Sequence, residues 1–148
     1  MKPLALSSSL LAIVGSVVSL TLPATAINAA YFGKTTQSLS LPITQGQELR
    51  LAEILLPRGK WIVNYSATAI NFGANDTMRC YVRARETGQI LSEHVAVVGT
   101  QQGASLASTI SGVTVANLNE PTTMLLVCNH DNTGKTPIID AGAEIAAY

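Results

Sequence analysis

Between Thr77 and Glu86 the chain alternates without a break, with Met78, Cys80, Val82 and Ala84 interleaved by Arg79, Tyr81, Arg83 and Arg85. A period of two sends successive side chains to opposite sides of an extended backbone. The segment therefore reads as a half-buried β-strand, apolar row inward and polar row outward, which carries Cys80 into a core. Elsewhere, runs of β-branched and aromatic residues are punctuated by Gly, Pro, Asn and Asp, and no stretch of helical period occurs between Ala30 and Tyr148.

Candidate strands cover 37–43, 47–56, 61–72, 77–86, 90–98, 106–118, 122–129 and 138–148. Trp61, Val63, Tyr65, Ala67 and Ala69 share one face of their strand, and Met124, Leu126 and Cys128 share one face of theirs. Apolar parity changes near Ala52 and Glu53, as a β-bulge would make it. The parity of 90–98 is not fixed by its residues, and Gly112 is expected to weaken or split 106–118.

Roughly eight short strands with regular turn signals predict an all-β, two-sheet antiparallel sandwich of jelly-roll kind, with an immunoglobulin-like sandwich as the alternative. The immunoglobulin pattern places a core tryptophan between its two cysteines, whereas Trp61 precedes both Cys80 and Cys128.

Ahead of the strands, Lys2 is followed by a run from Leu4 to Leu22 without a charged residue, then Pro23 and the small-x-small series Ala24-Thr25-Ala26. That is the profile of a cleaved signal peptide over 1–26, with a second cleavage candidate after Ala29. Serines dilute the apolar run, and the next charge is Lys34, so no membrane anchor is expected after cleavage. The remaining 27–148 suits a single domain, since roughly 120 residues is a common domain size. Export places the product in a periplasm, at a cell surface or outside the cell. In those compartments an even cysteine count reads as one disulfide, Cys80 to Cys128, either across adjacent strands or between the two sheets.

Lys and Arg number 9 against 9 Asp and Glu. A balanced chain has no field to attract nucleic acid, and no nucleic-acid partner is expected. Locally, the outward row Arg79, Tyr81, Arg83 and Arg85 is suited to an acidic glycan, because guanidiniums at alternate positions present donors along one strand. The competing reading is a solvated face on which these arginines pair with Glu53, Glu86 or Glu93. In the loop after 122–129, Asn129, Asp131 and Thr133, with Asp140 beyond, offer oxygens at roughly the spacing of a calcium loop. Calcium is the cofactor that this pattern suggests, and an ordinary Asx and Gly turn is its alternative.

No motif of a hydrolase or metalloenzyme surrounds His94 or His130, and no catalytic residue is assigned. The chain is read as an exported, non-enzymatic binding or structural domain. One alternative is a subunit that self-associates into a surface oligomer or fibre by strand addition through 27–44 or 141–148. Another is a small secreted hydrolase using His130 with Asp131 or Asp140. Asn64-Tyr65-Ser66 and Asn75-Asp76-Thr77 have the form of glycosylation sequons, the second expected to be the more accessible because it falls in a turn.

Overall fold

The computed structural model describes residues 30–148, so the leader expected over 1–26 and its cleavage point lie outside the described residues. Ten β elements follow one another: β1 (Tyr31–Lys34), β2 (Leu39–Ser40), β3 (Leu49–Leu56), β4 (Gly59–Ile70), β5 (Asp76–Ala84), β6 (Ile90–Val98), β7 (Ala107–Leu118), β8 (Thr122–His130), β9 (Ile138–Ile139) and β10 (Glu144–Ala147). No helix occurs among the described residues.

The strands form a six-stranded and a four-stranded sheet. In the first, β4 pairs with β7 on one side and with β9 and β10 end to end on the other; β2 and β1 lie beyond β9 and β10 respectively. The second has the order β3-β8-β5-β6. Every pairing is antiparallel and nested: β5 with β6, β4 with β7, β3 with β8, β1 with β10. The chain is thus one long hairpin folded over on itself, which is the jelly roll rather than the immunoglobulin-like alternative.

The inward faces meet in one core that includes Val63, Tyr65, Ala67 and Ala69 of β4, Met78, Cys80 and Val82 of β5, and Met124, Leu126 and Cys128 of β8. Cys80 and Cys128 are direct register partners on adjacent strands, bonded with Cα atoms 4.2 Å apart. That is the close spacing of a non-hydrogen-bonded antiparallel pair. The disulfide therefore staples β5 to β8 within one sheet, which decides between the two arrangements that the sequence leaves open.

Departures from expectation have local causes. The bulge falls one residue earlier, with the register shift between Arg50 and Ala52. A second shift opposite Val82 and Arg83 leaves Leu91 as an extra residue on β6, which is why 90–98 has no single parity. Gly112 does not split β7, whose ladder with β4 runs unbroken from Ala107 to Leu118. The last expected strand breaks into β9 and β10, because Gly142 turns the chain with φ +95°. Of 37–43 only Leu39 and Ser40 pair, while Tyr31–Lys34 supply a strand that the sequence reading left out.

Candidate functional site

On the outer face of the four-stranded sheet, β5 presents the row that the alternation predicts, and neighbouring strands fill it with carboxylates. Arg83 makes a two-pronged pair with Glu48, Nη1 to Oε1 at 2.8 Å and Nη2 to Oε2 at 2.7 Å. Arg79 pairs with Asp131 and has Glu93 at 3.7 Å, and Arg85 pairs with Glu53. The hydrogen bond from Arg79 holds the Asp131 carboxyl below its ordinary value, and the same contact raises the Arg79 guanidinium. Glu86 turns instead to the backbone: its carboxylate accepts the Thr123 amide at 3.1 and 3.2 Å, and backbone hydrogen bonds lower its pKa.

Tyr81 is outward but buried, forming a small cluster with Leu125 and Val127 beneath this layer of ion pairs. Its hydroxyl donates to Glu48. Burial first, then that hydrogen bond, pushes the Tyr81 phenol well above the ordinary tyrosine range. The row is a network of pairs capped over an apolar patch, and each guanidinium already faces an acid.

Of the four residues of the calcium reading, Asn129, Asp131 and Thr133 lie at the end of β8 and in the loop after it, and Asp140 lies beyond β9. Asp131 follows β8 and is engaged by Arg79. Asp140 follows β9 in the other sheet, where its Oδ1 accepts from the Ser38 hydroxyl and the Ala141 amide, each at 2.8 Å. Asn129 is the register partner of Arg79, its Oδ1 buried without a hydrogen-bond partner, and Thr133 is exposed in the loop. Among the described residues no three His, Cys, Asp or Glu side chains converge as a metal centre.

His130 is fully buried. Nε2 lies 2.6 Å from the Pro42 carbonyl oxygen, which can only accept, and Nδ1 lies 2.7 Å from Asp76 Oδ2. Asp76 Oδ1 accepts the amides of Asp131 and Asn132 at 3.2 and 3.1 Å. One imidazole and one carboxylate thus tie together the β2–β3 loop, the start of β5 and the end of β8. Neither ring nitrogen is free for a substrate.

His94 lies on edge strand β6, opposite Cys80 in register and above Gly112 of β7. The Tyr65 hydroxyl lies 3.1 Å from the Cys80 carbonyl oxygen, to which it donates, and 2.9 Å from His94 Nδ1. A cleft of about 380 Å3 opens at one end of the sandwich, with Ala84, Leu91 and Met124 among its apolar lining and Gln89, Asn117 and Glu120 among its polar lining.

Of the two sequons, Asn64 is the exposed one, on the outer face of β4. Asn75 is half-buried, its amide donating to Gln102 O and accepting from Gln101 N, which reverses the expected order of accessibility.

No family model matches the sequence, and no curated protein matches it. Solved structures do share the fold. A TNF from S. frugiperda, Eiger, has a TM-score of 0.55 at 5% identity, over 80% of this chain and 89% of that one. Infectious bursal disease virus, Gx strain, has 0.54 at 8% identity over 80% of this chain, and the T13 particle of the same virus has 0.55 at 9% over the same share. This chain spans only 32% and 30% of those viral chains. At such identities the likeness is one of fold alone.

Proposed function

We propose that the chain is an exported, non-catalytic structural domain, a disulfide-stapled jelly roll that contributes a rigid surface to an assembly. The observation that carries this reading is the use made of His130 and Asp76: the side chains best suited to acid-base chemistry lock three segments together and present nothing to solvent. The arginine row supports it further, since its charges are spent on Glu48, Glu53, Glu93 and Asp131. A jelly roll used in a viral particle is a precedent for the fold as a building block.

Strand addition through 141–148 has less support, because β10 is already hydrogen-bonded to β1 and β4. On the 27–44 side, β1 lies tight against β3: a Cβ on Gly33 would meet the Glu53 carbonyl oxygen at 2.6 Å.

The test is His130→Ala, assayed for both stability and turnover against ester, peptide, glycoside and phosphate panels. Removing one partner of a buried hydrogen-bonded pair leaves the other unsatisfied and costs roughly 1–3 kcal/mol, so the melting temperature should fall by on the order of 10 °C with no turnover lost. Wild-type turnover abolished in a His130→Ala protein of unchanged melting temperature would overturn the proposal.

A further inference from the structure

We propose that the outer face of the six-stranded sheet is a homotypic interface whose occupant is the same face of a second copy of this chain. The inference rests on the structural-domain reading above and adds the partner.

Register places the residues. Tyr148 and Ile62 exchange backbone hydrogen bonds at 3.1 Å, and Ile62 is opposite Val115. In the adjoining row Phe32 is opposite Ala146, Ala146 opposite Asn64, and Asn64 opposite Val113. Phe32, Ile62, Val113, Val115 and Tyr148 each keep half or more of their surface in solvent. Directly opposed side chains stand about 5 Å apart, so these residues form an apolar patch across β1, β10, β4 and β7 with the exposed amide of Asn64 among them. Patches of this kind, rimmed by polar residues, mark interaction surfaces.

Three observations select a second copy. The first is charge. The outer face of the other sheet carries the Arg79, Arg83 and Arg85 pairs, which docking would strip of water. On this face Lys34 and Glu144 are register partners of each other, and the exposed Lys60 stands at the rim, two residues along β4 from Ile62. Without Lys2 of the expected leader, 8 Lys and Arg stand against 9 Asp and Glu, so two near-neutral copies repel little.

The second is the chemistry beside the patch. Ser66 is opposite Ser111 and Thr68 opposite Thr109, with hydroxyl oxygens 3.1 Å apart in the threonine pair. A hydroxyl both donates and accepts, so this surface can meet its own copy across a two-fold axis without a mismatch.

The third is area. β4 and β7 are each 12 residues long. The two outer rows, β10 with β9 and β1 with β2, add six paired residues each, so at about 3.4 Å per residue and about 4.8 Å between rows the face measures on the order of 600 Å2, the size of a weak, reversible interface.

The test is sedimentation velocity across a concentration series on protein purified from an oxidising compartment. Wild type should dimerise reversibly. Val113→Lys should raise the dissociation constant by about 100-fold, as a charge buried at the centre of an interface does. Val113→Thr keeps the β-branched shape and should raise it by about tenfold, which covers the case in which the lysine variant fails to fold. Val97→Lys, at an exposed valine on the outer face of the other sheet, should leave it unchanged.

A wild type that stays monomeric up to about 200 μM, some twentyfold above a 10 μM dissociation constant, would overturn the inference. So would association that survives Val113→Lys and Val113→Thr, or that Val97→Lys disrupts as strongly. Co-sedimentation of a monomeric wild type with neutral phosphatidylcholine vesicles, lost in Val113→Lys, would assign the face to lipid and overturn it too. The His130 measurements read turnover and stability within one copy, so they stand or fall independently of this result.

Discussion

Gly112 lies where β7 passes beneath His94, and a Cβ at that position would sit 2.5 Å from His94 Nδ1 and 2.8 Å from Tyr65 Cε1. His94 is exposed and can swing aside, while Tyr65 is held in the core. Gly112→Ala should therefore cost about 1–3 kcal/mol, and adding His94→Ala should return part of that loss. Chemical denaturation of the two single variants and the double variant closes the cycle, and strict additivity would show that His94 is not the obstruction. At the same scale, burial raises the pKa of the Tyr65 and Tyr81 phenols. The neutral phenol is the form that the fold favours. This contribution is fully present below the ordinary tyrosine value of about 10 and is lost as pH rises through the raised folded values. Ultraviolet titration should show two late-ionising phenols, one removed by Tyr65→Phe and one by Tyr81→Phe. The inward placement of Tyr65 was legible from parity alone. The burial of Tyr81 was not, because its cover comes from Glu48, in the loop before β3, and no short-range pattern links the two positions.

β5 was readable in the sequence almost to the residue because one face meets the core and the other faces the solvated ion-pair layer. β8 was less so, since Leu125 and Val127 are buried on its outer side and blur the alternation. The short β1, β2, β9 and β10 owe their existence to partners far along the chain, and strands of two to four residues carry too little pattern to be read alone. Two predictions belong to these elements. With Cys80 and Cys128 both fully buried, dithiothreitol should leave the native disulfide intact and reduce it once denaturant opens the sheet. Mass spectrometry after alkylation distinguishes the two states. The outer face of β5 gives the second: with its guanidiniums paired, wild type should pass through heparin with little retention, and Glu48→Gln together with Glu53→Gln should increase it. Strong wild-type retention abolished by Arg83→Ala would instead favour the acidic-glycan reading of the row.

The nested topology makes most contacts non-local, from Tyr31 with Ala147 to Leu49 with Cys128. Sandwich class was visible from strand spacing. The pairing order was not, because it depends on which apolar faces fit once both sheets are present. Such a topology must close long loops before they are rewarded, so folding in milliseconds to seconds is expected. The disulfide changes this. It closes a 48-residue separation in advance, and the chain-entropy model assigns such a loop about 4 kcal/mol, mostly through the unfolded chain. If β5 and β8 meet at or before the folding barrier, the gain appears in the folding rate; if they meet after it, the gain appears in slower unfolding. β5 and β8 are the two central strands of their sheet, with β6 joined to β5 as a local hairpin and β3 to β8 by a distant pairing. The β5–β8 pairing is therefore expected to form early. Stopped-flow refolding of the oxidised protein should outpace a Cys80→Ser, Cys128→Ser variant by at least about tenfold, with unfolding rates nearly unchanged. Equal folding rates with faster unfolding of the variant would instead place β5–β8 pairing after the barrier and make the nucleus the long β4–β7 ladder of the opposite sheet.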